Sequence, residues 1–274
     1  MAATFKGYAL RSPAFISLVR SIALAGVIAC LAQGLPAHAA KPKPEIAFKN
    51  KAATVTVLID AALKSDPALA ADLLDEGKRW ANEQRAAADA SRKEDPDRFR
   101  QRGYIYERHY RMRSEIAGRY VSIIRVDHDE TGGSNPGAEL DTIIWDKQAG
   151  KRVDIRPFLT DTTDDGTAMK MMRSHIIAAL TVAKKARGVE VDPERFDRIE
   201  PTLAKIGAVT LAPSTEAGRS SGLTFHYPPY AVGRYAEGEY VAFVPWEALK
   251  PFLTPEGVRI FGGARPKGDD GEEQ

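Results

Sequence analysis

The chain has one cysteine, Cys30, in 274 residues. A disulfide framework or a cysteine-rich zinc site is therefore excluded, and stability must come from a packed core. His-Glu-x-x-His, Gly-x-Ser-x-Gly and any Ser/Lys pairing near a histidine are also missing, so no zinc-protease or serine-hydrolase signature is present. His109, His175 and His226 are widely separated, and each reads as a core or surface histidine rather than a ligand. No internal repeat appears, which argues against a solenoid. What is present is ordinary globular composition, 43% hydrophobic and 28% charged.

Lys6, Arg11 and Arg20 precede the apolar run from Ser21 to Leu35, which ends in Ala37-His38-Ala39. That is the pattern of a secretory signal peptide over residues 1–39, cleaved after Ala39 or Ala40, and it implies a periplasmic or secreted protein. The alternative is a lipobox at Val27-Ile28-Ala29-Cys30, which would make Cys30 an acylated N-terminus and the chain a membrane-anchored structural lipoprotein. Removing residues 1–39 leaves 36 of the 39 basic residues against 37 acidic ones, a formal −1. Such a balance gives no reason to expect a nucleic-acid partner.

Ile46 to Phe48 and Thr54 to Ile59 are β-branched-rich and read as strands. Asp66-Pro67 then opens a helix on a cap and first-turn proline, with Leu69, Leu73, Gly77, Trp80 and Gln84 at helical spacing beside Leu74 and Ala81. From Gly103 the period becomes two, placing Tyr104, Tyr106, Arg108, Tyr110 and Met112 on one face. Ala117-Gly118 reads as a turn, and Arg119 to Val126 and Glu139 to Asp146 as the next strands. Thr167 to Arg187 reads as a helix with Met171, Ile176 or His175, Ala179 and Val182 on its apolar side and Gly188 as C-cap. Pro193 to Ile206 reads as a second, shorter helix. Strands at Ala208 to Leu211, Leu223 to Tyr227 and Glu239 to Val244 follow, then a helical turn from Trp246 to Leu249. Without regular βαβ alternation the order argues α+β, an antiparallel sheet with helices packed on it. One module over 45–257 is expected, with an N-terminal α+β part over 45–145 and a C-terminal α+β part over 146–257. The Gly-rich, charged stretch 262–274 reads as a disordered tail.

Arg98, Arg100, Arg102, Arg108, Arg111 and Arg113 interleave with Phe99, Tyr104, Tyr106 and Tyr110, which could present a basic-aromatic surface to an anionic envelope polymer. The plainer reading is a half-buried strand with a charged face in water, and it is the preferred one. Asp127-His128-Asp129-Glu130 reads as a solvated turn, since adjacent residues point in different directions. Asp161, Asp165 and Gly166 mimic an EF-type loop, but Met172 stands where the bidentate glutamate belongs, so the acidic run is read as the capping approach to the next helix. No metal site or cofactor is expected, and no catalytic residue can be selected. In "YPPYAVGRYAEGEY", Tyr227 to Tyr240, the prolines stiffen the exit from a strand and Gly233 and Gly238 permit a reversal before the next.

Two stretches are familiar together. Tyr120-Val-Ser122, Thr131-Gly-Gly133, Trp145 to Lys151 and Asp154 to Leu159 form the first, and Gly222 to Phe225, Tyr230 to Gly233, Tyr235 to Gly238 and Val244 to Leu249 the second. In this order they resemble the secreted domain-of-unknown-function family that forms the extracellular part of the RsiV-type anti-sigma factor and accompanies the deacetylase domain of PdaC-type peptidoglycan deacetylases. The resemblance implies an α+β extracytoplasmic module, non-catalytic, that in the anti-sigma setting binds lysozyme. This chain lacks the sigma-binding segment, the membrane helix and any deacetylase domain, so no binding residue is inherited from the resemblance. The expectation is a non-catalytic periplasmic binding module of the cell envelope, with lysozyme or peptidoglycan fragments as partners and Tyr230, Tyr235, Arg108 and Tyr110 as binding candidates. The rival expectation is an envelope glycan hydrolase using paired carboxylates, with Glu237 or Glu239 beside the tyrosine loop.

Overall fold

The computed structural model describes residues 43–269, so both the signal peptide and the Cys30 alternative lie outside the described residues. Strands β1 (Ile46–Lys49) and β2 (Ala53–Ile59) form a hairpin, and helix α1 (Pro67–Glu94) crosses over to β3 (Tyr104–Ile116). β2 and β3 pair in parallel, Ala53 with Tyr104 through Ile59 with Tyr110. The fold is α+β with helices packed on largely antiparallel sheets, as expected, with one parallel exception: β2–α1–β3 is a βαβ unit, because a helix of this length can carry the chain back to the same sheet end. β4 (Tyr120–Glu130), β5 (Gly137–Asp146) and β6 (Lys151–Val153) continue antiparallel, completing a sheet ordered β1-β2-β3-β4-β5-β6.

α1 starts where Asp66 accepts from the N–H groups of Ala68 and Leu69 at 3.0 and 3.1 Å. Such a cap contributes about 1 kcal/mol. Leu69, Leu73, Gly77, Trp80 and Ala81 face the sheet, with Gln84 half-buried. Gly77 lets the helix descend onto β2: a Cβ there would stand 2.9 Å from Val57 Cγ1. Ala117 and Gly118, with φ of 54° and 62°, make the tight β3–β4 hairpin turn, and residue 117 accepts the strain of a left-handed conformation.

Helix α2 (Thr167–Ala186) packs on a second sheet of β7 (Ala208–Leu211), β8 (Gly222–Tyr227) and β9 (Tyr240–Pro245). Met169, Met172, Ile176 and Leu180 meet Leu223, Phe225, Ala242 and Val244 in one core. The apolar side expected from sequence is not the buried one, since Val182 is 68% exposed. Several overlapping arcs of this helix are apolar, and the sheet selects the one that ends in Lys184. Asp161 caps the helix by accepting from the N–H groups of Thr167 and Ala168 at 2.8 and 3.4 Å, as its reading as a capping approach requires. Gly188, at φ 68°, ends it.

Pro193 to Ile206 does not form the expected helix. A single 3-10 turn, Pro193–Phe196, is followed by turns around Pro201, which interrupts any helix while Phe196, Ile199 and Ile206 still enter the core. α3 (Trp246–Leu249) matches its reading, while α4 (Pro255–Ile260), capped by Thr254 through the Gly257 N–H at 3.0 Å, has no counterpart among the expected elements. The stretch expected to be a disordered tail is laid down over 262–269: Gly262 N–H bonds Ser220, Trp246 Nε1 bonds the Gly263 carbonyl, and the Asp269 carboxylate reaches Arg113.

Candidate functional site

The β8–β9 connection, residues 228–239, carries the most exposed large aromatic side chain among the described residues. Tyr230 is 54% exposed at φ 72°, a conformation that costs a β-carbon-bearing residue about 1–2 kcal/mol. Its ring stands 5.4 Å from that of Tyr235, tilted by 39°. Its hydroxyl accepts a 3.0 Å bond from Asn135, so the β4–β5 loop braces it from outside. Tyr227 and Tyr240, at the ends of the motif, are buried instead. Tyr227 donates to the Ile206 carbonyl at 2.6 Å and burial holds its hydroxyl protonated, well above the usual phenol range.

The base of the loop is fixed by the C-terminal turn of α2. Glu237 accepts from Lys184 Nζ, from the Arg234 N–H at 2.8 Å and from the Tyr240 hydroxyl at 2.9 Å. Burial works to raise its pKa, but these bonds, Lys184 first, pull it down to about 2. Arg187 donates to the carbonyls of Glu237 and Glu239 at 2.8 and 2.7 Å and lies 4.3 Å over the Tyr240 ring. Gly233 leaves room for this arrangement, because a Cβ would push against the Glu237 carboxylate and force it to shift from its partners.

Two clefts flank the loop. One of about 510 Å³ is lined by Pro228, Ala231 and Val232 with Leu140, Leu203 and Val209. The other, about 640 Å³, is lined by Arg234, Ala236 and Glu237 with Lys184, Val191 and Arg195. A braced aromatic ridge between two partly apolar clefts can stack on a sugar ring or seat on a protein surface.

Arg108 and Tyr110 are not part of this surface. Arg108 is 5% exposed and Tyr110 fully buried, both under α1. Arg108 lies 4.6 Å over the Trp80 ring and holds Asp127 through two parallel bonds of 2.7 and 2.5 Å. Burial, then the Glu76 charge, pushes the Tyr110 hydroxyl up to about 12. The basic-aromatic strand is likewise engaged within the fold: Arg98 bonds the Thr131 carbonyl, Arg100 pairs with Asp97, Arg102 with Glu130 and Arg113 with Asp269. Asp127 to Glu130 is strand, not a turn, and the register that sets Asp127 opposite Arg108 explains it. Glu239 has its own partner, and Glu237 is a fixed carboxylate with no proton to donate near neutral pH.

Sequence reasoning missed Asn135, Lys184 and Arg187. Lys184 did carry a signal: it continues the buried Ile176, Leu180 step by four residues, and a lysine on an apolar stripe needs a buried counterion.

No family model matches this sequence, and no curated protein matches it. Solved structures do. A DUF3298 family protein from Pseudomonas aeruginosa PAO1 superposes with a TM-score of 0.51 at 15% identity, covering 78% of this chain and 90% of that one. A member of the same family from Bacteroides fragilis NCTC 9343 gives 0.48 at 15% identity, over 75% and 86%. The first likeness is one of fold.

Proposed function

We propose that this chain is a non-catalytic binding module of the cell envelope, acting outside the cytoplasm, whose contact surface is the Tyr230–Tyr235 ridge with its flanking clefts. The observation that carries the reading is Tyr230: exposed, backbone-strained and braced by Asn135 from another loop. Strain held in place by the surrounding structure is a mark of recognition sites. The fold shared with a DUF3298 family protein and the sequence resemblance to the RsiV/PdaC-type module lend support to it. Lysozyme or a peptidoglycan-type glycan is the proposed partner class, since a pair of tyrosine rings suits both. The glycan-hydrolase rival draws little from Glu237: an ionised carboxylate suits a nucleophile or base but not an acid, and its oxygens are engaged by Lys184, the Arg234 N–H and the Tyr240 hydroxyl.

Pull-down of the chain from residue 40 with lysozyme and with peptidoglycan fragments tests the proposal. Retention of one at micromolar protein, reduced at least about tenfold by Tyr230→Ala with Tyr235→Ala, is expected for aromatic anchors. Retention of neither removes the support for a binding role. The mass of the mature N-terminus separately decides between cleavage near Ala39 and lipidation at Cys30.

A further inference from the structure

The three-stranded sheet has two unlike faces. Leu223, Phe225 and Tyr227 of β8 join the core with α2. Thr224 and His226 point the other way, with Thr210 and Phe243 opposite Thr224 in the two neighbouring strands. This face is buried as well, Thr210 and Thr224 completely and His226 to 3% exposure. Thr210 Oγ1 and His226 Nε2 meet at 2.9 Å, whereas Thr224 Oγ1 has no hydrogen-bond partner among the described residues.

Its cover is arginine-rich. Arg113 comes from β3, and Arg265, from the C-terminal segment, lies 4.7 Å over the Phe243 ring. Burial and the nearby Arg113 charge hold His226 neutral, its pKa lowered to about 3. Between the two guanidinium groups sits the Asp269 carboxylate, bonded by Arg113 Nη2 on one oxygen and by Arg265 Nε at 2.9 Å on the other. Each arginine therefore gives this carboxylate one bond where a guanidinium can give two. Arg113 Nε and Arg265 Nη2 are buried and without partners among the described residues.

We propose that Arg113, with Thr224 and His226 behind it, forms a carboxylate-binding site that the chain's own C-terminal segment fills through Asp269, and that an acidic peptide segment of a partner takes the same site by displacing it. The segment is built for exchange. Up to Ala264 it is tied by backbone bonds to Thr215 and Ser220, and beyond that its hold passes through the Arg265–Phe243 stack and the Asp269–Arg113 pair. Gly268, at φ 84°, turns the chain back so that Asp269 reaches inward. The sequence there, Gly268-Asp269-Asp270-Gly271-Glu272-Glu273, defines the chemistry a competitor needs: closely spaced carboxylates that follow a glycine able to turn the chain.

A tethered ligand acts at an effective concentration of about a millimolar, so a free peptide competes poorly with the intact segment. Asp269→Asn in the full chain removes that competition. The probe is a fluorescein-labelled peptide with the sequence of residues 264–274, titrated by anisotropy. Asp269→Asn in the protein should tighten peptide binding at least about tenfold over the unaltered chain. Replacing both Asp269 and Asp270 of the peptide by Asn, or adding Arg113→Gln to the protein, should abolish that gain. A folded Asp269→Asn chain with unaltered affinity, or one that binds the doubly substituted peptide equally well, overturns the proposal. If Asp269→Asn loses its near-ultraviolet circular dichroism, the unaltered chain is mixed with millimolar peptide and amide exchange is followed over 263–269. Faster exchange supports displacement and unchanged exchange refutes it.

Discussion

Replacing Lys184 by Met and Glu237 by Gln, singly and together, tests whether the tyrosine loop is held by a buried charge pair. Lys184 is 1% exposed, with its ammonium on Glu237 and 4.6 Å from the Tyr240 ring centre. Removing one partner of such a pair strands the other charge in a poorly solvated place, at a cost of about 3–5 kcal/mol. The two single changes should differ. After Lys184→Met, the Glu237 carboxylate keeps the Arg234 N–H and the Tyr240 hydroxyl. That places the loss near the lower bound, about 3 kcal/mol. After Glu237→Gln, the ammonium keeps the face of Tyr240, and the loss should lie nearer the upper bound. The double variant leaves no buried charge and should cost no more than the milder single one. Urea unfolding reads this as midpoint shifts of about 1 M or more for the singles, at an unaltered slope. The Glu237 carboxyl, held at about 2 against an ordinary 4.5, adds a pH signature. A folded-state pKa below the unfolded one means that its stabilisation is complete above pH 4.5 and disappears as the pH falls toward 2. Glu237→Gln should erase that acid limb. Singles that cost under about 1 kcal/mol, or a double equal to their sum, would refute the argument.

Tyr230→Gly should leave stability within about 1 kcal/mol, because relief of the left-handed strain offsets the lost ring contacts, while partner binding falls; thermal melts and the pull-down check both halves. His226, lowered to about 3 from 6.5, remains neutral in the folded state while the unfolded state takes up a proton. Stability should therefore drop as pH falls from 6.5 toward 3, by up to about 1.4 kcal/mol per unit, and His226→Gln should flatten that slope in melts taken across the window. Val182→Asp should be tolerated and Leu180→Ala should cost about 2–5 kcal/mol, an order that exchanges if the apolar side of α2 is the one read from sequence. Gly222→Ala should be among the worst small substitutions, since φ is 153° and the new Cβ would collide with the Val244 carbonyl oxygen; loss of soluble folded protein is the readout.

What is legible in the sequence is local. Asp66 and Pro67 announce α1 because a cap and its first turn are neighbours in sequence, and the Tyr104-to-Met112 alternation announces β3 because a pleat has period two. The failures involve partners set by register or by distance along the chain. Arg108 looks available because it is charged, yet Asp127 opposite it on β4 is visible only once the strands are paired. The parallel β2–β3 pairing has one mark in the sequence, the long helix between the two strands, and that helix alone does not fix whether the strands become neighbours or in which direction. In the candidate site the Tyr/Gly motif locates the loop and Tyr230, but not which tyrosines stay outside, because Tyr227 and Tyr240 are drawn in by Ile206 and Glu237. Asn135, ninety-five positions from Tyr230, carries no signal at all.

Arg113 and Asp269 are 156 residues apart, and this sets a clock on biosynthesis. At 5–20 residues per second a ribosome needs roughly 8–30 s to add the intervening chain, during which β3 already exists and its arginine has no carboxylate to meet. The Thr224–His226 face of the second sheet is sealed only by residues made long after β3. A product that stops before Asp269 would carry an exposed cationic seam that Asp269 otherwise conceals, which gives proteases a local chemical difference by which to tell the two apart.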